Sequence, residues 1–374
     1  MLRSLEIKNF RVLENFHVER LGRVNLIVGK NSSGKSTVLE ALRVYAGNAQ
    51  RGLLETLAES HDEKILDSDR AEPDSELPFQ DLFSGRRFPE NDNIAITIGD
   101  PASQEPVLRI EHVFLLEYEE ALKEASGITE TTVRRRVLSK SEIPTLSQQD
   151  NIIRQAIMTS KGDFSSFIFI DRNRPRRIPR EVSGELPCSF IPTQFVSGND
   201  LARLWDRVAL TEHEATVKQA LRCIAPEFEG LAFIGEMQRI PKARMSGFPR
   251  PIPLNSLGDG MVRVLQLILH VFPAKGGFLI IDEFENGLHY TVQENIWALI
   301  FDLAEQLDIQ VFATTHGWDC VESFSRVAVL KEKADAVLFR VGKSELKSNY
   351  GAVISTIFDK EQLHNITQMD VEVR

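Results

Sequence analysis

The chain has 374 residues, of which 42% are hydrophobic and 26% charged, and its formal net charge at pH 7 is −10. That size and balance allow a large buried core without disulfides or metal, and the negative charge excludes a protein that coats nucleic acid by bulk positive charge. Cys188, Cys223 and Cys320 lie far apart and form no metal-ligand cluster. No stretch reaches the roughly 18 to 20 apolar residues that span a membrane, so we expect a cytoplasmic protein with no membrane association.

The first 50 residues predict two strands, a turn and a helix. Leu5–Phe10 alternates like a half-buried strand, and Val24–Val28 is uniformly apolar, like a more buried one. A glycine-rich turn follows directly, and apolar residues then recur at helical spacing from Ser36 to Tyr45. Residues 58–92 are acidic and polar and contain three prolines, which indicates a surface loop.

The middle of the chain has a different character. Asn93–Asp100 and Leu108–Glu117 predict a β-hairpin, and the charged segment from Glu119 to Lys161 predicts helices. Positive charge is concentrated at Arg134–Arg136 and in a second cluster. Contact with a nucleic-acid backbone or an acidic partner is one interpretation, and a solvated surface balanced by nearby acidic residues is the other. The second cluster consists of Arg172, Arg174, Arg176, Arg177 and Arg180.

The last third of the chain predicts a strand–helix–strand unit. Phe278–Ile281 and Ile309–Ala313 are continuous apolar strands of the kind buried in a parallel sheet, and Val292–Leu307 has helical periodicity between them. Leu201–Cys223 predicts further helix. Since parallel strands need a crossover connection, the sequence predicts an α/β fold with helices on a mixed or parallel sheet, together with the antiparallel hairpin and a helical insertion.

Residues 29–37 read GKNSSGKST and fit the phosphate-loop pattern G-x-x-x-x-G-K-[ST]. In this pattern the backbone N–H groups surround phosphate oxygens, and the helix that follows directs its positive dipole end at the same place. We expect Lys35 to neutralise the β- and γ-phosphates and Ser36 to ligate Mg²⁺. The predicted nucleotide-binding residues of the loop are Asn31, Ser32, Ser33, Gly34, Lys35, Ser36 and Thr37.

Chemistry-bearing residues also follow two of the apolar strands. Asp282 and Glu283 come directly after one, at the sheet edge where open α/β sheets bind ligands. We expect Asp282 to hold Mg²⁺ opposite Ser36, and Glu283 to orient and activate the attacking water. His316 follows the next strand, which predicts a contact with the γ-phosphate.

The segment Asn255–Met261 precedes an apolar helix predicted at Val262–Phe272. Main-chain N–H groups at such a helix start can bind an anion, and a glycine turn that caps the helix explains the same residues equally well. The candidate nucleotide contacts in this segment are Ser256, Gly258, Asp259 and Gly260.

In this order the motifs resemble the ABC-type ATPase head of the RecF/SMC/OLD group. LEIKNFRVL resembles the N-terminal strand of that group, where an arginine near the position of Arg11 often lies by the nucleotide. GKNSSGKST resembles its Walker A motif, LIIDEFENGLH its Walker B motif and D-loop, and ATTH its switch-histidine motif. The resemblance covers roughly residues 1–50 and 186–345 and is closer to OLD-like ATPases than to the long coiled-coil proteins.

The chain also departs from the group's pattern. The signature position reads SLGDG at Ser256–Gly260 rather than LSGGQ, and Gln194 is the candidate for the glutamine that helps to hold Mg²⁺. About 58 residues follow His316, too few for the TOPRIM nuclease domain of full-length OLD-like proteins. Residues 50–190 lack the sustained heptad repeat of coiled-coil arms.

The expected organisation is an ATPase core in two parts, residues 1–50 and 186–345, with a β-hairpin and helical insertion at 51–185 and a helical tail at 346–374. The resemblance implies a stand-alone ATPase that binds ATP and Mg²⁺ and forms a head-to-tail homodimer. It also implies a separate effector, such as a TOPRIM-like nuclease, in bacterial anti-phage defence. A RecF-like DNA-binding ATPase of DNA repair and a scaffold with structural nucleotide are the alternatives.

Overall fold

The computed structural model describes residues 1–63, 79–103, 105–123, 129–146, 152–170, 185–331, 334–358 and 362–363. The chain divides into two compact units. The first unit comprises Met1–Leu5, His17–Leu39 and Leu186–Arg374, and the second comprises Glu6–Phe16 and Glu40–Glu185.

The strands and helices are as follows. The strands are β1 (Leu5–Phe10), β2 (Leu13–Val18), β3 (Val24–Val28), β4 (Ile96–Gly99), β5 (Leu108–Lys123), β6 (Thr129–Leu138), β7 (Ile152–Lys161), β8 (Phe164–Phe169), β9 (Cys188–Ile191), β10 (Phe228–Ile234), β11 (Ile240–Met245), β12 (Ile252–Pro253), β13 (Phe278–Ile281), β14 (Gln310–Thr314), β15 (Ala336–Lys343) and β16 (Val353–Phe358). The helices are α1 (Lys35–Ala46), α2 (Arg51–Ser60), α3 (Ile143–Leu146), α4 (Gly198–Asp206), α5 (His213–Arg222), α6 (Asp259–Val271), α7 (Tyr290–Gln306) and α8 (Trp318–Leu330).

A six-stranded sheet in the order β16-β15-β3-β14-β13-β9 forms the centre of the first unit. The strands from β15 to β9 are parallel, and β16 is antiparallel to β15. Every residue of β3, β13 and β14 is buried, as a parallel sheet covered by helices requires. The predicted α/β class and the strand–helix–strand unit β13–α7–β14 are therefore confirmed.

The strand order determines where the site forms. β3, β14 and β13 are consecutive neighbours and run in the same direction, so their carboxyl ends lie at one edge of the sheet. The phosphate loop follows β3, Thr315 and His316 follow β14, and Asp282 and Glu283 follow β13. Three sequence segments that are far apart in the chain meet there.

The second unit contains a seven-stranded sheet in the order β2-β1-β4-β5-β7-β8, with β6 also paired to β5. The predicted hairpin is present as the antiparallel pair β4–β5. The helices predicted from Glu119 to Lys161 are wrong: apart from the single turn α3, the described residues of this segment that have regular structure lie in β5, β6 and β7. Threonine, valine and isoleucine favour strands, and the charged run Arg134–Arg136 lies exposed on strand β6.

Two further differences concern the first unit. The predicted helical tail at 346–374 is wrong for Val353–Phe358, which is strand β16, and residues 364–374 lie outside the described part. A three-stranded antiparallel sheet, β10-β11-β12, precedes α6 and was not predicted. Its strands are short and interrupted by glycine and proline, which weakens the period-2 signal.

Candidate active site

The loop after β3 adopts a backbone that requires its glycines. Gly29 has φ 149°, Ser32 has φ 59° and Gly34 has φ 106°. A Cβ on Gly29 would lie 2.2 Å from the carbonyl oxygen of Val341, so no other residue fits at that position. The loop then enters α1 at Lys35, so the N-terminus of that helix lies directly at the loop.

Lys35 is enclosed by the loop that carries it. Lys35 is only 5% exposed. Its Nζ donates hydrogen bonds to the carbonyl oxygens of Gly29 at 2.8 Å and Lys30 at 3.1 Å. Burial lowers the pKa of Lys35, while the carboxylates of Asp282 and Glu283 act in the opposite direction. A buried cation that is bonded to neutral carbonyl oxygens of its own loop is suited to receiving an anion.

Threonine hydroxyl groups bind the Asp282 carboxylate and the Glu283 main chain after β13. Thr314 Oγ1 donates to Asp282 Oδ1 at 2.7 Å and accepts the main-chain N–H of Glu283 at 2.9 Å. Thr193 Oγ1 donates to Asp282 Oδ2 at 3.2 Å. Glu283 has φ 49°, a left-handed conformation that costs a non-glycine residue free energy and is often found at functional sites.

His316 lies between the phosphate-loop lysine, Lys35, and the carboxylate of Glu283. Its Nδ1 is 3.4 Å from Lys35 Nζ, and its Nε2 is 3.4 Å from Glu283 Oε1. Its main-chain N–H donates to Glu285 Oε1 at 2.7 Å. The three residues predicted to be catalytic, from the ends of three different strands, are therefore brought together.

Arg263, a buried arginine that was not predicted from the sequence, binds main-chain oxygens at the same edge of the sheet. Arg263 on α6 is 0% exposed and donates to the carbonyl oxygens of Pro192 at 2.8 Å, Asp282 at 2.9 Å and Glu283 at 2.6 Å. Burial lowers its pKa to about 10, against the nearby negative charges of Glu285, Asp282 and Glu283. The sequence feature that could have indicated this role is a single arginine within the apolar run of α6.

The signature-like residues lie in a turn that opens α6. Ser256 belongs to the single helical turn Leu254–Leu257, Gly258 has φ 100°, and α6 begins at Asp259. Ser256, Gly258 and Asp259 are exposed, and Gly260 is half-buried, with its Cβ position 3.2 Å from the carbonyl oxygen of Gly287. The start of this helix is thus open to solvent.

Other predicted site residues have different surroundings. In the first unit, the Gln194 side chain is exposed and its carbonyl oxygen accepts from Gln266 Nε2 at 3.3 Å. In the second unit, the guanidinium of Arg11 is bound by Glu40 at 3.3 Å and Glu63 at 2.9 Å. The remaining loop residues are placed as follows: Asn31, Ser32 and Ser36 are exposed, Gly34 and Thr37 are half-buried, and Ser33 is buried with an Oγ that lacks a hydrogen-bond partner in the described residues.

Two arginines of the first predicted basic cluster, Arg135 and Arg136, are paired with acidic residues. Arg135 binds Glu117 at 2.9 Å, the same carboxylate binds Arg154 at 2.8 Å, and Arg136 binds Glu142 at 3.0 Å. These pairs are what the interpretation of a balanced, solvated surface expects. The predicted cluster from Arg172 to Arg180 lies outside the described residues. Within the described part of the chain, no helix has both the length and the apolar character to cross a membrane.

Family models for ATPase domains match both halves of the chain. The model described as "AAA ATPase domain" matches residues 1–174, and the model described as "AAA domain, putative AbiEii toxin, Type IV TA system" matches residues 239–316. An "ATP/GTP phosphatase" of Helicobacter pylori is 22% identical over 382 aligned positions, which cover 97% of this chain and 99% of that protein. The DNA replication and repair protein RecF of Clostridioides difficile is 46% identical over 41 residues, 11% of each chain.

Solved structures of SMC heads are also similar. The SMC head domain of Thermotoga maritima has 16% identity and a TM-score of 0.44, covering 96% of this chain and 99% of that one. A Pyrococcus furiosus SMC head bound to the C-terminal domain of ScpA has 12% identity and a TM-score of 0.48, covering 98% of each. With the Walker-type motifs, the ATPase family models and the ATP/GTP phosphatase relative together, this chain is an ATPase whose motifs are similar to those of the ABC type.

Proposed function

We propose that this ATPase is an ATP-dependent dimerising switch. ATP binding joins two copies head to tail, and hydrolysis by Glu283 releases them. The observation that carries the proposal is the convergence of Lys35, Glu283 and His316 within 3.4 Å contacts, while the turn at Ser256–Gly260 stays open to solvent. One copy thus holds the three predicted catalytic residues together, while its own helix start faces solvent. This arrangement fits a nucleotide site that is formed by the catalytic residues of one copy and the helix start of a second copy.

Nucleotide binding rests on the phosphate loop. The Lys35 ammonium exchanges the carbonyl oxygens of Gly29 and Lys30 for phosphate oxygens, to which it binds more strongly because they are charged. Ser36 and Asp282 supply oxygen ligands of the kind Mg²⁺ prefers, with Gln194 as a further candidate. Mg²⁺ needs only one or two protein ligands besides water and phosphates, and it neutralises phosphate charge when bound.

Hydrolysis rests on the carboxylate and the histidine. Glu283 accepts the proton of the attacking water, and its backbone is fixed by Thr314 and Arg263. His316 contacts both Lys35 and Glu283. It is therefore placed to interact with the γ-phosphate that Lys35 binds and with the Glu283 carboxylate that acts as the base.

The second copy supplies the other side of the nucleotide. Ser256, Gly258 and Asp259 are exposed at the start of α6, where main-chain N–H groups and the helix dipole favour an anion. We assign these residues, with Gly260, to the γ-phosphate held by the phosphate loop of the partner copy. Dimerisation is then controlled by the nucleotide, because the triphosphate lies between the two surfaces.

In the cell we propose that this switch controls a separate effector, such as a TOPRIM-like nuclease, in cytoplasmic anti-phage defence. The OLD-like motifs support this role, as does the matched family description, which names a toxin–antitoxin system. A DNA-repair ATPase is the second candidate because a short segment is similar to RecF. The pairing of Arg135 and Arg136 with glutamates favours the first candidate.

The test is ATP hydrolysis and mass in solution for the wild type and Glu283→Gln, with and without duplex DNA. We expect wild-type turnover, and an ATP-bound dimer or larger assembly trapped by Glu283→Gln. Stimulation of ATP turnover by DNA would favour the second candidate, a DNA-repair ATPase. If neither ATP turnover nor ATP-dependent assembly is observed, the switch is refuted, and the remaining interpretation is a scaffold in which the nucleotide has a structural role.

A further inference from the structure

The loop between β14 and α8 is held by a carboxylate from another segment of the chain. Glu285 Oε1 accepts the main-chain N–H of His316 at 2.7 Å and that of Gly317 at 2.8 Å. Those two amides directly precede α8, which begins at Trp318 and has no side-chain cap of its own at Gly317. A residue 31 positions from His316 therefore supplies an acceptor to both amides, and Thr315 Oγ1 also accepts the Gly317 N–H at 3.0 Å.

This connection also determines the position of the imidazole. The His316 main chain is fixed at its N–H by Glu285, and its ring lies between Lys35 Nζ and Glu283 Oε1, each at 3.4 Å. The fit leaves little freedom, because a Cβ on Gly317 would lie 3.3 Å from Glu285 Cγ. Displacement of the loop would change the distances from the ring to both neighbours, and positional errors of about 1 Å cost roughly 100-fold in enzymatic rate.

Glu285 is also joined to the rest of the site by its place in the chain and by charge. It is two residues after Glu283, and the intervening Phe284 is buried and stacked on Trp297 with ring centroids 3.8 Å apart. Its negative charge contributes to the fields at Lys35 and Arg263. The segment that carries the catalytic base is therefore the same rigid segment that holds the histidine loop.

We propose that Glu285 is a positioning residue for hydrolysis, which holds His316 between Lys35 and Glu283 by binding the two amides that open α8. The inference rests on the proposed function, since it assigns a support to the same hydrolytic site. Glu285 does not touch the reacting atoms. It acts through His316, and this distinguishes it from a residue that only stabilises α8.

The test compares Glu285→Ala, Glu285→Gln and a control, Asp319→Asn. Asp319 is an exposed acidic residue in the first turn of the same helix, so its replacement removes a favourable dipole interaction without touching the His316 amide. We expect Glu285→Ala to lower kcat roughly 30-fold with little change in ATP affinity. Glu285→Gln retains an acceptor oxygen and should stay within about 3-fold of the wild type. Asp319→Asn should match the wild type.

Two readouts separate positioning from stability. Hydrogen exchange at the His316 and Gly317 amides should accelerate in Glu285→Ala and not in Asp319→Asn. In a His316→Ala background, Glu285→Ala should lower kcat by less than about 2-fold, since coupled residues are not additive. Full turnover in Glu285→Ala, or a full additional loss in the His316→Ala background, would overturn the inference alone. Failure of the wild type to hydrolyse ATP would overturn the proposed function as well.

Discussion

At the scale of single residues, Lys35 combines a buried position with a charge that the substrate needs. It is enclosed by neutral carbonyl oxygens, and burial lowers its pKa from the ordinary lysine value. The protein without nucleotide therefore holds this lysine in its neutral form over a wider alkaline range than an exposed lysine. Phosphate oxygens favour the charged form, so ATP binding raises the pKa again and takes up a proton at alkaline pH.

From this linkage we predict that ATP affinity falls as pH rises through the lowered pKa of Lys35. The sign follows from proton uptake, and the decrease approaches tenfold per pH unit, about 1.4 kcal/mol, above that pKa. Titration with a fluorescent ATP analogue between pH 7 and 10 measures it. Lys35→Arg is the control because arginine stays charged across this range. An affinity that is equally flat with pH in both proteins would contradict the prediction.

At the scale of elements, α6 connects the exposed turn at Ser256–Gly260 to the edge of the sheet that carries Asp282 and Glu283. Its first residues open to solvent, and one turn later Arg263 donates to main-chain oxygens of Pro192, Asp282 and Glu283. These carbonyls belong to the segments after β9 and β13, two strands of one parallel sheet. An arginine fits this role because its guanidinium directs several donors in fixed directions.

We predict that Arg263→Met lowers the free energy of unfolding by roughly 3 kcal/mol or more, because buried carbonyl oxygens lose their charged donor. Arg244→Met is the matched control: Arg244 is on β11, its side chain is 76% exposed, and it pairs with Glu229 at 3.2 Å. Exposed pairs contribute about 0 to 1 kcal/mol, so that variant should unfold almost like the wild type. Denaturant unfolding followed by circular dichroism gives both values, and equal losses would refute the assignment.

The elements also show what sequence alone could predict. The phosphate loop, Asp282, Glu283 and His316 were predictable because motif and strand end coincide, and the parallel order of β3, β14 and β13 then brings them together. The roles of Thr193, Arg263 and Glu285 depend on contacts between distant segments, such as the 89 positions between Thr193 and Asp282. Local pattern carries no such information. The end of β5 after Glu117 and the strands β6 and β7 were missed for a related reason, since charged residues there are satisfied by cross-strand partners such as Glu117.

At the scale of the whole molecule, the proposed dimer makes each active site a product of two copies. One copy provides the phosphate loop with Glu283, and the other provides the turn at Ser256–Gly260. A substitution can then inactivate the part of the site that one copy provides without affecting the part that the other copy provides. Glu283→Gln inactivates the catalytic part only. Ser256→Glu inactivates the signature part only, because an exposed carboxylate there repels the triphosphate without disturbing the core.

We therefore predict that two inactive variants restore ATP hydrolysis when mixed before ATP is added. A heterodimer of Glu283→Gln and Ser256→Glu contains one site with both parts intact, so random pairing leaves about a quarter of all sites competent. Turnover measured against mixing ratio should peak at equal amounts. A chain carrying both substitutions, mixed with Glu283→Gln, is the control, since none of its pairings has an intact catalytic part. If the first mixture stays inactive although both variants bind ATP, the signature turn does not act on the partner's nucleotide, and the switch would have to work within a single chain.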